Sequence, residues 1–479
     1  MFKKLSLVSM SILLSACSVG PDYHRPILEM PSHWQNAPTL NPALAQWWMQ
    51  FEDEKLLSLI QQSLDNNQDL KRAIANVDAA SAALGLAHAD YFPTANAALN
   101  ATRSKAQMNV SSPASQPSRT QYDLGLVINY EIDLWGRVRH ANEAAAAQLA
   151  SDIAVRDGVR ATVAAHVARA YFQARAFDRR IALLERLHRT QKENVSLQQK
   201  RMEAGSIAPY DYEQARSEAY AVEAQLPALR AARSHTLTAL AVLRGISPQA
   251  MTQAWQKGFS DYAYAAPPNL SSPLTASLPN APVVPMDLPS ELIERRPDIR
   301  AAEQQLVAAN ARIGVAKAAY FPQLSLTGFA GSVSHAFSSL LERSSENWQL
   351  WASLSQPVSD IHRVGMQVDT AQAQHSAAQA AYIKTVQVAF QETLDALTNV
   401  HSAREIMHSQ NSRVDALTSA YQMANARYQA GDISYLELLD IERQLRQIEQ
   451  EQVTAQLSLL QSTVDLYRAL GGGWQIGNA

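Results

Sequence analysis

Two stretches of this chain carry the same sharp turn, and their repetition limits the possible fold more than any other feature. Arg201-Met202-Glu203-Ala204-Gly205-Ser206-Ile207-Ala208-Pro209-Tyr210-Asp211 is matched by Arg427-Tyr428-Gln429-Ala430-Gly431-Asp432-Ile433-Ser434-Tyr435-Leu436-Glu437. Arg201 falls on Arg427, Gly205 on Gly431, Ile207 on Ile433 and Asp211 on Glu437, each 226 residues on. A glycine just past a long helical run ends it in a left-handed cap, and Pro209 suits the first turn of a new helix. Each stretch is therefore expected at the tip of a helical hairpin. Arg137 and Gly245 repeat as Arg363 and Gly471 at the same spacing, whereas Tyr91-Phe92-Pro93 repeats as Tyr320-Phe321-Pro322 at 229. The first copy thus holds three more residues between its proline and its arginine, and these belong in a loop. The chain reads as two copies of one unit: short helix, Tyr-Phe-Pro stop, two strands, long helix, glycine tip and returning helix.

The chain is long, 479 residues of which 47% are hydrophobic, and a formal net charge of −3 gives nucleic-acid binding no electrostatic support. Lys3-Lys4 followed by the apolar run from Leu5 to Leu14 has the composition of a secretory signal over residues 1–16, too short to span a bilayer as a helix. Cys17, the one cysteine, follows at once in Leu14-Ser15-Ala16-Cys17. This pattern resembles a lipobox, which implies a mature N-terminus carrying N-acyl and diacylglycerol groups on Cys17. Two or three acyl chains anchor a protein stably.

Residues 17–55 begin with prolines at 21, 26, 31, 38 and 42, which exclude helix and predict an extended arm ending at Trp47-Trp48. Leu56, Leu59, Ile60 and Leu64, then Leu70, Ile74, Val77 and Leu84, predict helix over 56–92, stopped by Pro93. Within 93–136, Tyr122, Leu124, Leu126, Ile128, Tyr130 and Ile132 alternate with a mostly polar set. Such a strand fits either an ordinary half-buried sheet or a tilted membrane strand with interfacial tyrosines. The second copy offers Gln323 to Gly331 and Trp348 to Gln356 within 322–362, after a helix over 298–321. Four strands cannot close a membrane barrel, and lipid does not tolerate open sheet edges, so copies of the chain must pool strands.

Proline-free helical patterns run from Arg137 to Ala204 and from Arg363 to Ala430, each long enough for roughly 100 Å of helix. Their apolar stripes, Val163, Val167, Tyr171 and Ala174 in one and Val386, Phe390, Leu394 and Leu397 in the other, read as coiled-coil seams. Returning helices are expected over Asp211 to Leu243 and Glu437 to Leu470, completing units 137–244 and 363–470 and making a cylinder of paired helices. Residues 245–297 are rich in proline and read as a linker around the waist of that cylinder, and 471–479 as a tail.

Together, Cys17 with its flank, Gly20-Pro21-Asp22-Tyr23, Trp47-Trp48, Asp133-Leu134-Trp135-Gly136-Arg137, Leu288-Pro289-Ser290-Glu291-Leu292, Arg295-Arg296-Pro297-Asp298, Tyr320-Phe321-Pro322 and Leu466-Tyr467-Arg468-Ala469-Leu470-Gly471-Gly472-Gly473-Trp474 resemble the outer-membrane factor family of tripartite efflux pumps. The likeness is to its TolC-like fold and most of all to its OprM-like, NodT-type lipoprotein branch. It implies a mainly α protein with a transmembrane β-barrel: a homotrimer with a twelve-stranded barrel, four strands per chain, and a trimeric α-barrel. It implies as partners a periplasmic adaptor, an inner-membrane efflux transporter and outer-membrane lipid. One departure stands out. Where the family has a glycine pair before the second long helix, this chain reads Pro357-Val358-Ser359-Asp360-Ile361-His362-Arg363, which puts the local turn in question.

Glu437 and Asp440 lie three apart on one helix face. They complement the helix dipole, or they form an acidic ring when repeated about an axis, as the family's matching pair does at the periplasmic mouth. The resemblance adds Tyr428 and Arg427 as contacts holding the gate, and Arg201, Gly205, Ile207, Arg427, Gly431 and Ile433 as adaptor-docking tips, where turn chemistry alone also accounts for the glycines. His401 and His408, seven apart, read as solvated or packing residues. No zinc motif, nucleotide loop or catalytic group is evident, and no cofactor beyond the lipid is expected. The chain is read as a non-enzymatic exit duct for small molecules such as drugs or toxic amphiphiles. A protein-secretion channel of the same fold, or a lipid-anchored coiled-coil scaffold without a pore, stays open as an alternative.

Overall fold

Strand β1 (Thr94–Ser104) pairs antiparallel with β2 (Arg119–Ile132), β2 with β3 (Gln323–Ser334) and β3 with β4 (Glu346–Ser355), giving one sheet in sequence order with β1 and β4 at its edges. The computed structural model describes residues 19–27, 45–105, 118–259, 278–282 and 295–473, so the leader, Cys17 and most of the proline-rich arm and linker lie outside the described residues. The helices are α1 (Glu54–Asn66), α2 (Gln68–Ala89), α3 (Arg137–Glu203), α4 (Pro209–Glu223), α5 (Leu226–Arg244), α6 (Pro248–Phe259), α7 (Pro297–Ala318), α8 (Ile361–Ala430) and α9 (Tyr435–Ala469). The chain divides into two units, one of Met1–Leu28, Asn76–Ile153 and Ala301–Lys384, the other of Glu29–Ala75, Ala154–Arg300 and Thr385–Ala479.

The first unit holds the sheet, and its register shows where the three-residue difference between the copies lies. Thr94 pairs with Asn129, and their counterparts Gln323 and Ser355 pair in the same way. The hairpins are thus superimposable repeats, and the extra residues fall in the connection between β1 and β2. The pairing also assigns faces. Leu99 on β1, Leu126 and Ile128 on β2, and Trp348, Leu350 and Leu354 on β4 all project to one side, and all are exposed. A large apolar patch left open to water is unusual in a soluble protein and marks a surface meant for another medium or partner. Trp135 lies flat against Phe321 (centroids 4.7 Å apart) and donates its indole N–H to the Pro322 carbonyl at 2.8 Å, joining the matching motifs of the two copies. The described part of the arm is extended, as its prolines require. Asn310 Nδ2 donates to the Pro21 carbonyl (2.8 Å), and Arg25 Nε pairs with Glu303 (3.1 Å).

The departure at Pro357–Arg363 proves harmless. Gly136, which precedes α3, has φ +83°, but among the described residues no position from 357 to 363 has positive φ. Helix α8 begins at Ile361 with Asp360 beside Arg363, so this entry into the long helix does not need the left-handed residue that only glycine adopts freely.

In the second unit the core gathers Trp47, Trp48, Phe51, Leu56, Ile60, Val167, Tyr171, Phe172, Leu240, Trp255, Leu460, Val464 and Tyr467. Trp47 stacks on Tyr467 with centroids 5.5 Å apart. Asp53 serves two elements: one carboxylate oxygen caps α1 by accepting from the Lys55 and Leu56 amides, and the other accepts the Tyr171 hydroxyl at 2.7 Å. Arg296, from the Arg-Arg-Pro-Asp motif, is buried and donates to the Ala469 carbonyl (3.0 Å) while pairing with Asp298 and Glu392 (2.7 Å each), closing the orphan end of α9.

One expectation needs correction here. The returning helix of the first copy is not continuous from Asp211 to Leu243: it breaks at Ala224-Gln225, and α5 starts with Pro227 in its first turn. Proline has no amide to donate and its ring crowds the carbonyl four residues back, so the helix must restart there. The linker contains a helix of its own. Pro248 opens α6, because proline is compatible with a helix's first turn, and Met251 and Trp255 bury one face of it.

Asn67 is the hinge between α1 and α2. It is 2% exposed, accepts from the Leu70 amide at 3.0 Å and donates to the Leu243 carbonyl at 2.9 Å, whereas neighbouring Asn66 donates only to the exposed Gln62 carbonyl. Asn67→Ala is expected to lower stability by about 1–3 kcal/mol and Asn66→Ala to leave it within about 0.5, read from thermal unfolding in detergent.

Candidate functional site

The two hairpin tips are built alike. After α3 the Gly205 amide bonds the Met202 carbonyl (2.9 Å) and the Ser206 amide the Arg201 carbonyl (2.8 Å); after α8 the Gly431 amide bonds Tyr428 (3.0 Å) and the Asp432 amide Arg427 (2.9 Å). Both glycines are left-handed, at φ +72° and +84°. This is the Schellman arrangement, in which glycine satisfies carbonyls that the helix end would otherwise strand. The chains then re-enter helix differently. Pro209 opens α4 without a side-chain cap, and Ser434 caps α9 by accepting from the Glu437 amide at 3.3 Å.

The structure joins two residues that the sequence placed in separate roles. Arg201, expected at a docking tip, donates from Nη1 to the Tyr428 hydroxyl at 2.7 Å, and its guanidinium lies 5.7 Å from that ring's centroid. Tyr428, expected at the gate, also accepts from Gln198 (3.4 Å) and lies 6.0 Å from the Tyr435 ring, whose hydroxyl accepts from Asn194 at 2.5 Å. One polar cluster therefore ties the end of α3 to the ends of α8 and α9. Arg427 and Gly431 are exposed, and Ile207 and Ile433 are half-buried. Glu437 and Asp440 are both exposed, and Gln444 donates to the Asp440 carboxylate at 2.8 Å. Carboxylates on the first turns of a helix complement its dipole, and these two make this face of the helix acidic.

Sequence reasoning missed a second cluster farther from the tip. Buried Glu442 accepts from Gln191 at 3.2 Å and lies against Arg446; Arg186 pairs with Glu449 at 3.3 Å, and Arg180 donates to Gln450 at 2.8 Å. Arg443 pairs with Glu218 of α4. Burial pulls the Arg446 guanidinium down to about 10, and burial pushes the Glu449 carboxyl up despite Arg186, Arg179 and Arg446. A cavity of about 280 Å³ adjoins them, lined among others by Leu183, Leu187 and Tyr421. The available signal was the run Glu442, Arg446, Glu449 at helical spacing, but the pattern does not say which partner helix faces it. His401 is exposed beside Glu405 at 3.5 Å, and no cluster of His, Cys, Asp or Glu suited to a metal ion occurs among the described residues.

Two tests follow. Tyr428→Phe removes the acceptor for Arg201 at a cost of about 1.5 kcal/mol, and amide exchange at 198–206 and 427–435 is expected to quicken roughly tenfold. For Glu449, a carboxyl raised in the folded state holds its proton after the unfolded chain has lost it. Its contribution therefore falls as pH rises from the ordinary carboxylate range through the raised value, and stays low above it. Melting temperature against pH is expected to lose this acid-side component in Glu449→Gln.

Comparison with known proteins agrees with this architecture. The probable efflux pump outer membrane protein TtgC of Pseudomonas putida is 33% identical over 486 residues, covering 99% of this chain and 97% of its own. Outer membrane protein OprJ of Pseudomonas aeruginosa is 32% identical, covering 99% and 97%. The solved outer-membrane channel OprN is 30% identical and superimposes with a TM-score of 0.82 over 96% of this chain and all of its own. The fold is thus that of an outer-membrane channel with long helices and four strands per chain. The sequence model for outer membrane efflux proteins matches residues 59–245 and 288–472, spans that take in both helical repeats and both tips, and the chain belongs to that family.

Proposed function

We propose that three copies of this chain form a lipid-anchored exit duct through the outer membrane, receiving small amphiphilic molecules from an inner-membrane efflux transporter through a periplasmic adaptor. The observation that carries this reading is the sheet. Its apolar side, with Leu99, Leu126, Ile128, Trp348, Leu350 and Leu354, is uncovered, and β1 and β4 are open edges. Each unpaired backbone group in hydrocarbon costs several kcal/mol, so such a sheet is viable in a bilayer only when closed. Three chains give twelve strands, within the even counts that such barrels have. No described helix is long and apolar enough to cross a membrane.

The cargo class is read from relatives. Similar proteins are described as components of antibiotic, toluene and solvent efflux pumps, which supports drugs and apolar solvents as the cargo class. Cys17 carries the acyl chains in this reading. The exposed turns with Gly205 and Gly431, flanked by Ile207 and Ile433, offer the adaptor a small apolar knob beside a bare backbone. Arg201 holds Tyr428 and so braces the tip from within, and Arg427 faces outward for docking or neighbour contact. Glu437 and Asp440 form the acidic ring of the mouth: three pairs around an axis repel one another, attract cations and impede anions. The duct itself performs no chemistry, and the energy for transport comes from the transporter.

Single-channel recording in a planar bilayer tests the duct. The wild type is expected to show small cation-selective steps, and Glu437→Gln/Asp440→Asn larger steps with cation preference reduced severalfold. A verified trimer whose selectivity ignores the double variant would remove these residues from the mouth; absence of both trimer and insertion would defeat the duct. Cys17→Ser is expected to abolish labelling by radioactive palmitate.

A further inference from the structure

The connection between β3 and β4 is folded, and its direction says what lies against one end of the sheet. Two short helical turns, Phe337–Ser339 and Arg343–Ser345, shape it, and Leu340 between them is buried. Hydroxyl groups hold it together: the Oγ atoms of Ser334 and Ser339 lie 2.6 Å apart, and Ser345 Oγ donates to the Ser339 carbonyl at 2.7 Å. Two further contacts aim it. His335 Nδ1 donates to the Thr120 carbonyl at 3.1 Å, and the Phe337 ring meets the Tyr122 ring edge-on, with centroids 5.6 Å apart. Tyr122 lies on the same side of β2 as Leu126 and Ile128, so Phe337 sits on the apolar side of the sheet. Gln121 and Asp123 project to the other side, away from this ring.

Cations stand on the same side at this end. Arg103 pairs across to Thr120 and lies four residues from Leu99 on β1, so it shares the apolar side, and Lys105 follows two residues on. Both are exposed. Arg103 Nη2 donates to Ser118 Oγ at 3.2 Å, which uses one of the five donors of a guanidinium. We propose that Arg103 and Lys105, with Tyr122, Phe337 and Leu341, form a seat for a phosphorylated glycolipid of the outer leaflet. The cations take its phosphate, and the apolar side chains lie along its acyl chains. The proposal rests on the outer-membrane duct proposed above and adds to it a lipid partner.

Chain order selects the leaflet. Helices α2, α3, α7 and α8 all join the sheet at the end marked by Thr94, Ile132, Gln323 and Ser355, so Arg103 is at the opposite end. With the helices in the periplasm, that end reaches the outer leaflet. Exposure then selects lipid as the occupant. Phe337 is 64% exposed, Leu341 84% and Trp348 79%, a cost in water that acyl chains remove. Aromatic rings beside cations suit the boundary between acyl chains and charged headgroups, and a guanidinium with a nearby ammonium suits a phosphate. A purely apolar girdle would not place two cations on this side. Glu346, on the same side of β4, is three strands across from Arg103, about 14 Å at the usual strand spacing, and so does not neutralise it.

The test is lipid retention by the full-length protein. Purified in detergent, it is titrated with bisphosphorylated lipid A, with dephosphorylated lipid A and with phosphatidylglycerol, and bound lipid is counted by native mass spectrometry. The wild type is expected to hold bisphosphorylated lipid A roughly tenfold more tightly than the other two, and Arg103→Ala/Lys105→Ala to lose about that factor. Arg119→Ala removes a cation at the same end from the other side of β2 and is expected to bind like the wild type. Undiminished binding by the double variant, an equal loss in Arg119→Ala, or equal binding of either comparison lipid would overturn the seat; channel conductance in the same preparation would leave the duct standing. Where the double variant does not assemble, Leu341→Cys carrying a bimane label in proteoliposomes gives a second reading, with quenching expected from brominated acyl chains and not from aqueous iodide. Quenching by iodide alone would assign this connection to water or a soluble partner and overturn the proposal. A chain that neither forms trimers nor inserts would overturn the duct as well.

Discussion

A sheet whose edges are open and whose apolar side is bare is the constraint from which the rest of this protein follows. Backbone amides and carbonyls cannot be left unpaired in hydrocarbon, and four strands are too few to close on themselves. In the duct proposed above, the chain therefore reaches its stable form only together with other copies. Its internal duplication gives two strand pairs, β1–β2 and β3–β4, in matching register. The same duplication sets the helices in pairs, so that each strand pair leads into a long helix that turns back at a glycine.

The tips show how one backbone solution serves two purposes. Gly205 and Gly431 satisfy the last carbonyls of α3 and α8 in the same left-handed turn, yet the residues hung on the two turns differ. The second copy carries Ser434 as a cap, with Glu437 and Asp440 on the exposed face, while the first contributes Arg201 to hold Tyr428. Duplication supplied the scaffold, and divergence of side chains at matched positions made the two tips differ. Farther along, buried Glu442 and half-buried Arg446 and Glu449 lie beside an apolar-lined cavity, where desolvation works against the charges of Arg446 and Glu449. Such pairs contribute little net stability, but breaking one leaves an uncompensated charge, so they fix which helix faces which.

Local signals in the sequence were most legible where the backbone itself imposes the outcome. Pro93 and Pro322 stopped helices, the alternation from Tyr122 to Ile132 made a strand, and the tip glycines took positive φ. Pro227 shows the opposite case. The apolar pattern runs smoothly through it, and only proline's missing amide and steric bulk split the returning helix into α4 and α5. Helix α6 was hidden within a proline-rich stretch because proline at a helix's first turn and proline in an extended linker look the same until Met251 and Trp255 are seen to be buried.

The sequence by itself determined the duplication, the order of elements, the hairpin tips and the acidic spacing of Glu437 and Asp440, since each depends on residues near one another or on matched positions along the chain. The tertiary structure alone decided that Arg201 bonds Tyr428, that Gln191 and Glu442 share a buried contact, and that Leu99, Ile128 and Leu354 lie on one uncovered face. These join residues far apart in the chain. Their pairing depends on the rotation and offset of one helix or strand against another, which local periodicity leaves free and only the packing of whole elements fixes.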